Sequence, residues 1–496
     1  MRTIRWIGLS AGIAGALLGC SSSSAPAGSA DAGGNGTQDG AKSSSNDSGK
    51  TKGDSGASSH DGSTGDATHP KDSSVAKDGE STGKDGQVST GSEGGVDAVA
   101  DVTGILDAGK DAPPPGPVQM LVTFGGATSS ETVVISMATK AVEGRIPFLG
   151  AGITDTRNTT APFLLEQSAD VVAKLNATKP WLIDADWNVS EYTDGGTYNA
   201  NPTQVVVQSS TQAYVISYER NQLAVVDVSS AGDAGMPGST IDLAGYLQAG
   251  DSDGVVEMMG AAYVASSHRL YVVLANVDQA LEAEYGGVIC GSEVSTVVAI
   301  DTQTNTLVNL GGTGPKGSLV LSYYDPAFVV YDSIGGRLLI ASTGCFTKPA
   351  SVGGALGSAN MRGVEAVNLA TGKSTTLLPL TPTTFPAGFD DVPTGFAYID
   401  STHAVLGFDQ TGQAVYAWDP TKSTIGANIP NAPDFFAYDG DGHLVGTRQD
   451  TADGGVMSTD IVSVTIPAGV STTITKNVTS LTGAVFVSSV DVWPHP

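Results

Sequence analysis

The sequence predicts an all-β chain after residue 117, built from repeated small antiparallel sheets, and three observations carry that prediction. Beyond Pro117 the chain runs in short Val/Thr/Ile/Tyr stretches split by turn residues, with no long segment of helical periodicity. Residues 201–227 read NPTQVVVQSSTQAYVISYERNQLAVVD, in which alternating runs at 204–208, 213–217 and 223–226 are separated by polar turns, the pattern of a three-stranded meander. A sheet of that size cannot bury its apolar faces alone, and copies of the pattern recur along the chain, so the copies should stack on one another.

The N-terminal part precedes this region and differs from it. Arg2 and Arg5 stand before an apolar run over 7–18, the n-region and h-region of a secretory signal, too short to span a bilayer. The run ends in Leu17-Leu18-Gly19-Cys20, which resembles the bacterial lipobox. The resemblance implies cleavage before Cys20, a diacylglyceryl group on its sulfur and acylation of the new amine. Three acyl chains exceed the two that stable anchoring needs, so a membrane is the expected partner through Cys20. Ser21 follows the cysteine, which by resemblance to the sorting rule of enteric bacteria favours the outer membrane. Residues 20–117 are then rich in Ser, Gly, Asp, Lys and Ala with almost no aromatic residues, so they cannot bury enough surface to offset ordering entropy. They form a disordered tether that, as a flexible coil, reaches roughly 50–60 Å. Pro113-Pro114-Pro115-Gly116-Pro117 marks its end.

The repeat is counted at the end of each third strand, where the pattern is apolar-x-apolar-Asp/Asn. It reads LAVVD to Asp227, VVAID to Asp301, VEAVN to Asn368 and VYAWD to Asp419, with weaker copies ending at Met137, Asn176 and Thr465. The terminal Asp or Asn has a turn role, since its side chain accepts from backbone amides two residues on. The first copy begins with the second-strand run MLVTF at 120–124 and lacks a first strand. The chain end, GAVFVSSV at 483–490, resembles the first-strand run QVVVQSS and should complete that sheet. Seven four-stranded sheets with such a closure leave no open edge, which is the logic of a seven-bladed β-propeller over residues 118–496.

The stretch NPTQVVVQSSTQAYVISYERNQLAVVDVSS resembles the repeat of the YVTN-type β-propellers. Tyr214-Val215-Ile216-Ser217 stands where that family has its four-residue signature, and Val225-Val226-Asp227 matches its third strand. The stretch IDLAGYLQAGDSDGVVEMMGAAYVASSHRLYVVLANVD at 241–278 also resembles large surface lipoproteins of that type; the resemblance covers residues 118–496 and is strong from about 201 to 310. The resemblance implies the fold; propellers of one shape host unrelated activities, so it implies no particular chemistry.

Two insertions, DQALEAEYGGVICGSE at 278–293 and GCFTKPASVGGALGSANMRG at 344–363, fall between second and third strands. Such loops emerge on the same face as the connections between blades, one of which is the long stretch 229–254. That face is the candidate ligand face, with Tyr285, Phe346, Lys348 and Arg362 as its less ordinary side chains. Cys290 and Cys345 occupy the two insertions, and in an extracytoplasmic protein a disulfide is expected, with two free buried thiols as the alternative. Asp251-Ser252-Asp253-Gly254 and Asp439-Gly440-Asp441-Gly442 could offer calcium alternating carboxylates, with Asp439 and Asp441 as its ligands, but lack the distal Glu of an EF-hand loop. A hairpin turn is the expected use of the second. His268, His403 and His443 sit at matching positions where second strands begin, so they are spread around the ring. No catalytic triad, zinc or phosphate-loop pattern is present.

The formal charge of −27 on 496 residues, with no basic stripe, excludes nucleic acid as a partner. The expected function is a lipid-anchored, extracytoplasmic, non-catalytic binding module without a cofactor. Its rivals are a propeller enzyme of lactonase or quinoprotein type and an accessory that captures a small molecule or metal chelate for uptake. Three or more carboxylates converging at the channel mouth would favour the enzyme, and a broad apolar mouth would favour capture.

Overall fold

The computed structural model describes residues 118–493 except 127–128, 158–160, 177–180, 191–198, 230, 234–237, 286, 292, 352–358, 382–392, 409–413, 452–456, 477 and 479–485. The expected signal segment, Cys20 and the expected tether over 20–117 lie outside the described residues. Seven sheets, each built on four antiparallel strands, follow one another around a ring, so the chain is an all-β seven-bladed propeller; the second and fourth each take one further short strand, Gly232–Asp233 (parallel) and Leu319–Val320. Blade 3 shows the plan: Pro202–Val207, Ala213–Ser217, Gln222–Val226 and Ser239–Asp242 run from the inside outwards. Blade 4 repeats it with Met258–Val264, Arg269–Leu274, Thr296–Asp301 and Thr306–Val308, and blade 5 with Pro326–Asp332, Arg337–Ser342, Gly363–Asn368 and Lys373–Pro379.

The ring closes as the repeat count requires. Phe486–Trp493 pairs antiparallel with Gln119–Gly125 and becomes the inner strand of blade 1, joining the two ends of the described chain in one sheet. The first strands of successive blades are neighbours all the way round, from blade 1 back to Phe435–Tyr438 of blade 7. Polar side chains stitch them together. Thr154 Oγ1 donates to Asp491 at 2.6 Å, Val205 N–H donates to Asp155 at 2.7 Å, and the Gln204 carboxamide both accepts from and donates to the Ala261 backbone, at 2.7 and 3.0 Å. Each bond satisfies a buried polar group across a blade boundary, so the first strands of blades 1 to 4 are fixed in register with their neighbours.

Burial follows the period-2 alternation. Between blades 3 and 4, Tyr214, Ile216 and Leu223 pack against Met258, Leu270 and Val298, and comparable apolar clusters fill the other blade interfaces. Each blade therefore buries both faces only because it has a neighbour on each side.

The marker residues do what their turn role predicts. Ser229 N–H donates to Asp227 at 2.9 Å, Gln303 N–H to Asp301 at 2.9 Å, Thr371 N–H to Asn368 at 2.9 Å and Thr421 N–H to Asp419 at 2.9 Å. His403 and His443 open the second strands of blades 6 and 7, and His268 immediately precedes that of blade 4. Asp439 caps the blade 7 hairpin, accepting from the backbone of Asp441 at 2.8 Å and of His443 at 3.0 Å, with Gly440 and Gly442 at positive φ. One sequence reading is corrected: the stretch 229–254 is not all connection. It contains the outer strand of blade 3, Ser239–Asp242, and Gly232–Asp233, which pairs with the outer strand of blade 2. Its Gly, Ser and Asp content hides a strand that packs only one buried apolar side chain, Ile241.

Candidate functional site

The site lies at the end of the ring where first strands begin and second strands end, across blades 3, 4 and 5. Each of these blades enters its first strand through a residue in the left-handed region: Asn201 at φ 50°, Glu257 at φ 41° and Asp325 at φ 50°. Their carbonyls accept from the residue just past the second strand, Tyr218 at 3.0 Å, Ala275 at 2.9 Å and Thr343 at 2.9 Å. A register shift follows at once in all three blades, between Pro202 and Gln204, Met258 and Gly260, and Pro326 and Phe328. The same local structure thus places three polar side chains at equivalent points of the channel mouth. For a glutamate the left-handed conformation costs about 1 kcal/mol or more, which the paired backbone around it has to hold.

The surrounding elements add further acids. Tyr218 and Glu219 follow the second strand of blade 3, Asp251 and Asp253 lie in the connection into blade 4, and Glu282 lies on the helix Gln279–Tyr285 of the first insertion. Asp278 caps that helix by accepting from Leu281 N–H at 3.0 Å, and Asp253 accepts from Gln279 N–H at 2.6 Å. Glu257 is fully buried and accepts from Val277 N–H at 3.0 Å and from the Gln279 side chain at 3.4 Å. Asp325 is buried and accepts from the Thr343 hydroxyl.

These acids are too crowded and too dry to ionise as usual. Burial, reinforced by Asp325, Asp253 and Glu219, pushes Glu282 up to about 8. Burial and the nearby Asp170 and Asp253 push Glu219 up to about 7, against the opposing pull of Asn201 and Arg220. Glu257 is raised well above the usual range by burial and then by Asp253 and Asp251, and Asp325 rises to about 6 by burial. The Tyr218 phenol is raised by burial and by the charges of Glu282, Glu257, Asp325 and Glu219. Its ring is 2% exposed and its hydroxyl has no hydrogen-bonding partner among the described residues; the same holds for Asp325 Oδ1, Asn201 Oδ1 and Asn276 Oδ1.

The two insertions meet beside this mouth. Cys290 and Cys345 form a disulfide, with Cα atoms 4.9 Å apart. Around it, Phe346 N–H donates to Val288 O at 2.8 Å and Cys290 N–H to Phe346 O at 2.9 Å. Tyr218, Met259, Ala275, Val277 and Val288 pack with the two cysteines in a small apolar cluster of its own. Of the side chains singled out from sequence, Tyr285 and Lys348 come together, with Lys348 Nζ 5.0 Å from the ring centroid. Phe346 belongs to the short hairpin beside them. Arg362 is buried and donates from Nε to Leu380 O at 3.1 Å, which ties the third strand of blade 5 to the segment after the fourth. Asp439 and Asp441 belong to the blade 7 hairpin, whereas Asp251 and Asp253 lie at the mouth. Among the described residues no three His, Cys, Asp or Glu side chains are placed to hold a metal ion.

Sequence reasoning did not single out Tyr218, Glu219, Glu257, Glu282 or Asp325. An available signal was the repeat itself: aligning the first strands puts Asn201, Glu257 and Asp325 in one column.

No family model and no curated protein matches the chain. Among solved structures it is similar to a Bacteroides fragilis protein provisionally named a 6-phosphogluconolactonase, at 11% identity and a TM-score of 0.46 over 77% of this chain and 99% of that one. A Bacteroides uniformis protein provisionally given the same name matches at 9% identity and a TM-score of 0.45, over 76% and 99%. Apo AztD from Citrobacter koseri matches at 10% identity and a TM-score of 0.40, over 76% and 97%. At these values none carries an activity or ligand across to this chain.

Proposed function

We propose that this chain is a binding module held outside the cytoplasm by a lipid on Cys20, with residues 20–117 as the tether, the propeller as the working part and the outer membrane as its site. The binding site is the acid-lined mouth over blades 3 to 5. One observation supports it above the rest: the Tyr218 hydroxyl is buried within the field of four carboxyls and has no hydrogen-bonding partner among the described residues. A buried polar group left unmade is costly, and such groups are kept where something else supplies the missing bond. Native mass spectrometry of the protein purified gently from its own envelope tests this reading. Retention of a small molecule, lost on Tyr218→Phe, supports it; a mass with no adduct, unaltered by added envelope extract, counts against it. The anchor is tested separately by Cys20→Ser, which should move the chain from the membrane to the soluble fraction.

An acid–base enzyme is the second reading, supported by carboxyls at the mouth that are raised to about 6 for Asp325 by burial, and to about 7 for Glu219 and about 8 for Glu282 by burial and their acidic neighbours. It requires turnover with a pH profile that Glu219→Gln and Glu282→Gln alter.

A further inference from the structure

We infer that the mouth over blades 3 to 5 takes an alkylammonium group, the charged end of a free polyamine or of a lysine side chain. This rests on the reading of the mouth as a binding site and names the chemistry it would recognise.

The acceptors decide the sign of the ligand. Glu219, Asp253, Glu257, Glu282 and Asp325 approach from three kinds of element: first-strand entries, the end of a second strand with the connection into blade 4, and the insertion helix. Asp251 lies beside Asp253, while Arg220 and Asp170 stand behind Glu219. Asp325 Oδ1, Asn201 Oδ1 and Asp251 Oδ2, which have no hydrogen-bonding partner among the described residues, are acceptors, and the Tyr218 hydroxyl can accept as well. A ligand that satisfies these acceptors donates several hydrogen bonds, and one that also brings positive charge draws the raised carboxyls into their ionised forms, as an ammonium does with three N–H groups.

Two further observations narrow the class. A bare metal ion needs several oxygens within about 2–2.6 Å of one point, and among the described residues no three acids are so placed. The acids are strung between neighbouring blades, which suits a donor carried on a chain. Next to them lies the apolar cluster of Tyr218, Met259, Val277, Val288 and the disulfide, a surface suited to methylene groups. Glu219 and Asp253 are half-exposed, whereas Tyr218 and Glu257 are buried behind them, so entry is from the Glu219 and Asp253 side. The raised carboxyls add a signature: an arriving ammonium favours their ionised forms, so binding near neutral pH should release protons.

The test is calorimetric titration of the full-length protein at pH 7 and moderate salt with spermidine, with a short blocked lysine peptide and with calcium chloride, in two buffers of different ionisation enthalpy. The expected result is saturable binding of one of the amines with proton release, weakened about tenfold or more by Glu282→Gln and by Tyr218→Phe. Whichever amine binds more tightly identifies the source. Tyr218→Phe removes one oxygen without changing the packing volume, so it serves if the glutamine variant fails to fold. Calcium binding that the variants weaken, with no amine binding, overturns the ammonium class and leaves the mouth as a site. Absence of binding by all three, or amine binding indifferent to both variants, overturns the inference and counts against the mouth as well.

Discussion

Replacing Glu282 by glutamine should stabilise the protein, and only at neutral to alkaline pH. Glu282 is 8% exposed and its carboxyl is pushed up from the ordinary 4.5 to about 8 by burial and by Asp325, Asp253 and Glu219. Below about pH 4.5 the group is protonated in both the folded and the unfolded chain, and burial of its charge costs nothing. As pH rises the unfolded chain ionises first while the folded one keeps its proton, so stability falls until the folded group ionises near 8 and the full cost persists above that. A rise of that size corresponds to an upper bound of roughly 5 kcal/mol. Relaxation and water entry reduce such costs, so the expected gain is about 1–3 kcal/mol at pH 8.5 and near zero at pH 4.5. Glutamine and glutamate have similar helix propensities, so the helix Gln279–Tyr285 does not confound the comparison. Urea unfolding of both proteins at the two pH values measures the effect. An equal difference at both, or a loss at pH 8.5, would refute the reasoning, because either means that Glu282 is not paying for its charge.

Other consequences follow from the same packing. Tyr218→Phe should leave stability unchanged or raise it by up to about 1–2 kcal/mol, since the lost hydroxyl makes no bond within the described residues; a clear fall in the urea midpoint would show a partner. Reducing the Cys290–Cys345 bridge, which closes 55 residues, should cost about 2–4 kcal/mol, and an unfolding midpoint unmoved by reductant would contradict that. Deleting residues 486–496 leaves Gln119–Gly125 without its inner partner, and the exposed edge should cause aggregation and loss of cooperative melting; a monomeric truncated protein that melts in one sharp transition would argue against ring closure. In blade 7 a Cβ on Gly446 would stand 1.9 Å from Phe435 O, so Gly446→Ala should destabilise by about 1–3 kcal/mol, and a thermal scan that matches the parent would mean the strand yields freely.

Much of the architecture was legible because its signals are local. Alternating side chains mark strands, an Asp or Asn at a strand end marks a turn, and Asp227, Asp301, Asn368 and Asp419 all take that role. Counting these four with the weaker copies ending at Met137, Asn176 and Thr465 gave seven blades, and the likeness of 483–490 to a first strand led to the closure by Phe486–Trp493. The Cys290–Cys345 pairing followed from two cysteines in neighbouring insertions. What only the tertiary structure decided is which side chains meet. Tyr218 and Glu219 read as part of a polar turn, Glu257 and Asp325 as residues before a strand, and Glu282 as one acid in an insertion. The ring brings them together because residues at the same point of neighbouring blades converge near the axis, however far apart they lie along the chain. Arg362 shows the converse: a charged residue in an insertion looked available for a ligand, and the fold turns it inward to Leu380 O. Strand periodicity records how each residue faces its own sheet, whereas a shared mouth depends on how the sheets are arranged around the axis, which no local pattern contains.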